Sequence, residues 1–393
     1  MSEALVFLSG KRTGFGSFGG TLSNVHPTVL ATTAAQAAIQ QANVEPSNFQ
    51  HVILGSLLSS SVDYLYIPRH VGLKSGIPLE VPALGINRLC GSGFQVVIEA
   101  YHQMLAGDTQ VALVGGVENM SMAPYLLPRA RWGHRMGHTE VTDLLMGALT
   151  DSYSNTPMAI TAENLAKKYN LTREESDAFA LRSQTRFAQA ESEGKFDEER
   201  VEVKISSKKG EILFSTDEHA RPNADIESLS KLKPVFLKDG VVTAGNASGI
   251  VDGAAMMVVS TESYAESQKI QPLGRLVAYG ISGCDPDIMG IGPVPAIKRA
   301  LKKANLSIED LDLIEVNEAF APQILAVIKE LELPEEKLNV NGGAIALGHP
   351  LAATGTRITM HLLYELRRRG LKKGLVSACI GGGQGIALIV EAY

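Results

Sequence analysis

Cys90 stands in GINRLCGSGFQVVIEA (85–100), between a short apolar run and two glycines, with an apolar helical pattern directly behind it. A thiol at a helix N-terminus meets free amides and the positive end of the dipole, which favour thiolate. A Cys thiolate attacks carbonyls and leaves a thioester that is itself reactive. A buried structural cysteine would fit this segment equally well. Three other stretches bear on the choice. His349 lies in the glycine-rich run NVNGGAIALGHPLAATGTRI (339–358) ahead of a helical pattern, where an imidazole could take the thiol's proton; an exposed loop histidine is the plain alternative. Cys379, in VSACIGGGQG (376–385), closes an apolar strand and opens a glycine turn. It reads either as a core residue or as a second reactive thiol. Asn317 and Glu318 end an apolar strand in EVNEAFAPQ (315–323), where buried polar groups need partners. Asn317 could also cap a helix.

Other chemistries find less support. Gly14, Gly16 and Gly19 fit GxGxxG, but the first arrives six residues after the first strand. The next helix starts only near Pro27, and no acidic residue follows at the spacing a ribose site wants. His134 and His138 are four apart without a third ligand, and the three cysteines, Cys90, Cys284 and Cys379, form no CxxC pair, so no metal site is expected. The sequence contains no GxxxxGK[ST], HExxH or GxSxG motif.

The elements that must carry these residues alternate. Residues 4–8 read as a strand, Pro27–Ala42 as a helix with proline in its first turn, 49–58 as a strand, 93–107 as a helix closed by Gly107, and 109–119 as a buried strand. That pattern specifies an α/β fold with a largely covered sheet. Residues 119–250 are more charged and turn-rich, with helical signals near 160–194 and a polar stretch at 206–228, as an inserted domain would be. A strand at 252–260 follows, and the α/β pattern returns from about 270. The return is a repeat: AAIQQANVEPSNFQHVILG (37–55) matches RALKKANLSIEDLDLIEVN (299–317) at a constant offset of 262, and VALVGG (111–116) resembles LVSACIGG (375–382). The loop of Cys90 then corresponds to the loop of His349. Duplicated halves packed face to face could bring both to one cleft.

Composition sets the bounds. The chain has 393 residues, 45% hydrophobic and 20% charged, with formal net charge -6, ordinary for a soluble protein and unlike a nucleic-acid-binding surface. The few cysteines suit a reducing compartment, no run approaches a membrane span, and MSEALVFLSG reads as no signal peptide. A cytoplasmic location is expected.

Taken together, NRLCGSGFQ, GGVENMSMAP, TAGNASGIVDGAA, EVNEAFAPQ, NVNGGAIALGHPLAATGTR and CIGGGQG resemble the thiolase family, in the family's order and over essentially the whole chain. The resemblance implies a duplicated five-layered αβαβα core with an inserted loop domain. By likeness the N-terminal half is 1–120 with 250–270, the loop domain 121–249 (coenzyme A binding and oligomer contacts), and the C-terminal half 271–393. It implies a ping-pong acyl-cysteine reaction joining two acetyl-CoA into acetoacetyl-CoA, or the reverse thiolysis, in the manner of a short-chain acetyl-CoA acetyltransferase; a 3-ketoacyl-CoA thiolase of broader chain length is the alternative. No prosthetic group is implied, only coenzyme A and its esters as substrates, and the assembly would be a homodimer or homotetramer, the tetramer favoured.

Carried over residue by residue, Cys90 resembles the acylated nucleophile and His349 its base and part of a first oxyanion hole. Asn317 resembles the residue that holds that hole's water, with Glu318 in support. Cys379 resembles the acid/base for the α-proton, and the amides of Cys90 and Gly381 a second oxyanion hole. Ser248 resembles a pantetheine contact, Arg221 and Leu149 contacts to the nucleotide end, and Met158 and Met289 walls of the acyl pocket; Ala319 and Phe320 belong with the substrate-binding set. Departures are Gly14 in place of proline, Pro157 where many short-chain members have histidine, and Gln384 where methionine is common.

Overall fold

The computed structural model describes residues 3–207 and 210–393. Met1, Ser2, Lys208 and Lys209 lie outside them, and with them the first two residues of MSEALVFLSG and part of the polar stretch at 206–228. Strand β1 (Leu5–Thr13) leads to α1 (Pro27–Ala42), β2 (His51–Gly55), α2 (Ile67–Lys74), β3 (Ala83–Ile86), α3 (Ser92–Ala106) and β4 (Val111–Asn119). Between residues 120 and 250 the strands are short and pair only locally, apart from Arg200–Val201, which joins β1; two longer helices, α4 (Met158–Tyr169) and α5 (Arg173–Ser192), stand among them. The regular pattern resumes with β5 (Val251–Thr261), β6 (Gly274–Gly283), α6 (Pro293–Ala304), β7 (Leu313–Val316), α7 (Ala321–Leu331), α8 (Leu351–Arg369), β8 (Lys373–Ile380) and β9 (Gln384–Ala392).

The duplication is visible in the strand order. The main path runs β7-β8-β9-β6-β1-β5-β4-β2-β3. In the first half β2 and β4 pair parallel, and β4·β5 and β5·β1 antiparallel. In the second half β7·β8 pair parallel, and β8·β9 and β9·β6 antiparallel. The two halves meet where Val6 and Phe7 of β1 pair with Arg275 and Gly274 of β6. The repeat read in the sequence marks the same joints: Asn43 ends α1 and Asn305 ends α6, each in the left-handed conformation with φ of 52° and 54°. One joint differs. From β8 to β9 the chain turns through Gly381–Gly383, with Gly382 and Gly383 at φ 78° and 79°, whereas between β4 and β5 the whole of 120–250 is inserted.

Both faces of the sheet are covered, which is why the strands read as nearly continuous apolar runs. Val52, Leu54, Leu113, Met256 and Val258 pack on α1 and α2, while their neighbours Ile53, Ala112, Val114, Met257 and Val259 face α3 and α8. In the second half Val376, Ala378, Ile386 and Leu388 face α3 and α8, while Leu375, Ala387 and Ile389 face α6 and α7. The result is five layers, αβαβα, with α3 and α8 in the middle. Those two helices touch at their first turns. A Cβ on Gly93 would lie 2.7 Å from the Ala352 carbonyl oxygen, and one on Gly355 would lie 2.5 Å from the Phe94 nitrogen, so only glycine permits the crossing. No helix among the described residues is long and apolar enough to cross a membrane.

Some local readings needed correction. The first strand, expected over 4–8, extends to Thr13, and Arg12 is fully buried in it and paired with Glu199 and Asp217. The strand expected over 49–58 stops at Gly55. The two asparagine caps give a test. Asn305→Ala should lower stability by about 1 kcal/mol, because an L side chain without a local hydrogen bond resists the left-handed region, and Asn305→Gly should cost less. Denaturant midpoints that place Ala above Gly would contradict this.

Candidate active site

Cys90 sits two residues before α3 and His349 two residues before α8, so the glycine crossing brings their loops together. The turn before Cys90 is held in an uncommon shape. Leu89 has φ 49°, and the Ser92 hydroxyl, which accepts from the Arg88 amide and donates to the Leu89 carbonyl, both at 2.8 Å, clips it. Gln384, one of the departures, begins β9 and lies 3.3 Å from the Arg88 guanidinium. Cys379 is the penultimate residue of β8, and Gly381 starts the turn beyond it. The amides of Gly381 and of Cys90 itself both point at the Cys90 thiol.

One small cavity of about 60 Å³ gathers Cys90, His349, Cys379, Gly381, Ser248, Leu149, Met158, Met289, Ala319 and Phe320. Leu149, expected at the nucleotide end, is thus in the wall beside the sulfurs. Leu57, Leu89 and Leu351 complete the apolar wall. The chain from Ala244 to Ser248 leads from this cavity to a larger one of about 610 Å³, where Arg221 lines the wall with His219, Ser228 and Leu232. The Arg221 guanidinium lies against the carbonyls of Glu218, His219 and Ala220. A volume in this range suits a small-molecule site. Pro157 precedes Met158, the first residue of α4.

His349 is held at three points. Its amide donates to Gly249, Nδ1 lies 2.6 Å from the Thr354 hydroxyl, and Nε2 lies 3.4 Å from Asn317 Nδ2. The Thr354 hydroxyl donates to the Pro350 carbonyl, which assigns the ring proton to Nδ1 and leaves Nε2 as acceptor. Asn317 caps no helix, since α7 starts at Ala321; its Oδ1 is buried without a protein partner. Glu318 does not line the cavity. It accepts from Asn339, Ser183 and the Ile345 amide, and so ties the strand end to the loop of His349. Thr354 escaped the sequence reading, although its position five residues after His349, on the helix that follows, is a signal that could have found it.

Burial decides the protonation states. It holds His349 down to about 3, with the nearby Arg357 guanidinium adding to the effect. It pushes the Cys90 thiol up to about 11, against the Gly381 and Cys90 amides. Cys379 is pushed well above the ordinary thiol range by burial and by the neighbouring Cys90 and Cys284. The thiolate expected from the helix N-terminus is therefore not the resting state: a dipole worth about 0.3–1 kcal/mol does not offset the loss of solvation. The resting pair is a neutral thiol beside a neutral imidazole. The rate of Cys90 alkylation by iodoacetamide should then climb with pH from neutrality toward about 11. A plateau already reached near neutrality would indicate a preformed thiolate–imidazolium pair instead.

Among the described residues no cluster of three or more His, Cys, Asp or Glu side chains is placed to hold a metal. Comparison with known proteins matches residues 5–263 to the thiolase N-terminal domain and 270–392 to the thiolase C-terminal domain. The bovine mitochondrial 3-ketoacyl-CoA thiolase is 52% identical over 390 residues, 99% of this chain and 98% of that one. The crystal structure of human mitochondrial 3-ketoacyl-CoA thiolase in complex with CoA superposes with a TM-score of 0.96 at 51% identity, covering 100% of this chain and 98% of the other. That of the Bacillus anthracis acetyl-CoA acetyltransferase gives 0.98 at 46%, covering 100% and 99%. The expected cytoplasmic location is corrected by these relatives, of which the bovine and human enzymes are mitochondrial. Free cysteines call for reducing surroundings, and that alone never singled out the cytoplasm. Family models that span both halves, and a fold that superposes end to end on solved members, establish that the chain belongs to the thiolase family.

Proposed function

We propose that the chain is a 3-ketoacyl-CoA thiolase, which cleaves 3-ketoacyl-CoA with coenzyme A into acetyl-CoA and a shortened acyl-CoA, and can run the reverse condensation. The short-chain acetyl-CoA acetyltransferase reading ranks second, because identity is higher to the 3-ketoacyl-CoA thiolases, 52% and 51%, than to the acetyltransferase, 46%. The observation that carries the chemistry is the convergence of Cys90, His349, Cys379 and the Gly381 amide on one cavity.

In cleavage, His349 Nε2 takes the Cys90 proton as Sγ adds to the keto carbonyl. The oxyanion that forms is met by amide or imidazole N–H donors; a single such donor is worth about 3–4 kcal/mol in other enzymes. The carbon–carbon bond breaks, and the departing carbanion takes its proton from Cys379. The resting state suits this, since a thiol held neutral by burial is ready as an acid. The Cys379 thiolate then takes the proton of incoming coenzyme A, whose sulfur attacks the acyl-Cys90 thioester. Cys90 leaves as thiolate and recovers its proton from His349. Asn317, with its free Oδ1 beside His349, is suited to hold a water at the oxyanion.

The wider cavity at Arg221 and Ser228 would take the nucleotide end of coenzyme A, with Ser248 along the pantetheine, which assigns substrate binding to the inserted segment 121–249. The same segment exposes Trp132, Met136 and Tyr125, apolar surface suited to self-association into a tetramer. Met158 and Met289 close the acyl cavity with unbranched side chains that can swing aside for longer chains.

Intact-mass analysis tests the roles. Cys90→Ala should take up no acyl group from acetyl-CoA. Cys379→Ala should still be acylated but should cleave acetoacetyl-CoA slower by about 10²- to 10⁴-fold. Acylation of Cys90→Ala, or normal cleavage by Cys379→Ala, would refute the assignment. Turnover should persist on esters longer than acetoacetyl-CoA; turnover confined to acetoacetyl-CoA would restore the acetyltransferase reading.

A further inference from the structure

Glu118 is fully buried at the end of β4, in the stretch GGVEN, and no step of the reaction uses it. Its hydrogen-bond partners are backbone amides from two parts of the chain far apart in sequence. Oε1 accepts from Leu57 at 3.0 Å and Leu58 at 2.9 Å, and Oε2 accepts from Ala352 at 3.1 Å. Leu57 walls the sulfur cavity; Ala352 is the second residue of α8, three residues after His349. That helix has no side-chain cap of its own, so a carboxylate from the other half serves its N-terminus, where amides are unpaired and negative charge is favoured. Glu318 holds the preceding side of the same loop through the Ile345 amide at 3.2 Å. The loop of His349 is thus pinned at both ends by buried carboxylates, one from each half of the duplicated fold.

We infer that Glu118 is a positioning residue, which sets His349 against Cys90 by tying the first turn of α8 to the half that carries the nucleophile. A carboxylate is required because all the donors are N–H groups. Glutamine keeps the size but turns one end into a donor, so either the Leu57–Leu58 side or the Ala352 side would face N–H with N–H. The titratable groups that face Glu118 are Cys90 and Tyr64. Burial pushes the carboxyl up to about 7, against the three amides. Below that pH it takes a proton, and one of its oxygens becomes a donor with amides around it.

The inference rests on the acyl-Cys90 reading, and single-turnover acylation by acetyl-CoA separates the two. If wild-type Cys90 never loads, the function is wrong. If it loads, Glu118→Gln should load the same residue roughly 10- to 100-fold more slowly, the cost of a base displaced by a fraction of an ångström to an ångström. Its KM for acetyl-CoA should stay within about twofold, because the coenzyme cavity lies elsewhere. The wild-type acylation rate should fall as pH drops through about 7, and this limb should vanish in Glu118→Gln. Glu315, also pushed up to about 7 by burial, against His361 and Arg357, is untouched by the substitution. A wild-type acylation rate in folded Glu118→Gln, or an acid limb that survives in it, overturns the inference. Should that variant not fold, the wild-type profile decides alone: a flat acylation rate between about pH 6 and 8 would overturn it.

Discussion

The contact on which the site depends is a crossing of two helices at two glycines. α3 and α8 form the middle layer, and their first turns meet where Gly93 and Gly355 leave no room for a side chain. Each helix is preceded by a candidate catalytic residue, Cys90 in one half and His349 in the other. Neither half contains the chemistry alone. Face-to-face packing of the repeats buries a shared apolar layer, and the same packing superposes the two loops. The glycine turn after β8 then lays the Gly381 amide and Cys379 beside them.

That burial also sets the electrostatics. A site sunk between two β layers loses solvation, and the loss falls on the charged forms. Both thiols are kept protonated and the imidazole neutral, so in the proposed reaction proton transfer would accompany bond formation and not precede it. A neutral resting site has a further use. In the proposed reaction charge would appear only as oxyanion and carbanion form, beside the amides of Cys90 and Gly381 that already point at the Cys90 thiol.

Much of this was legible in the sequence. Cys90, His349, Cys379 and Asn317 stand out because glycine-rich or apolar surroundings make a reactive side chain conspicuous, and all four converge. The repeat at offset 262 carried the topology, because Asn43 and Asn305 mark the same left-handed helix end in both halves. What stayed hidden depends on contacts between distant segments. Glu118 looks like any acidic strand end until Leu57, Leu58 and Ala352 are seen around it. Thr354 reads as one of several threonines in a helix until Nδ1 of His349 is found at 2.6 Å. The helix dipole at Cys90 is a local feature and was overestimated, since desolvation comes from the whole fold. The buried Arg12 falls outside the strand expected over 4–8 for the same reason: its partners, Glu199 and Asp217, are 187 and 205 residues away along the chain.

The crossing itself is open to one direct measurement, the turnover of folded Gly355→Ala. The added methyl would lie 2.4 Å from Phe94 Cδ2, so the first turns of α3 and α8 must separate. If that contact sets the distance between Cys90 and His349, turnover falls by roughly 10²-fold while the rest of the fold persists. Turnover equal to the unsubstituted enzyme would show that the two loops meet without it.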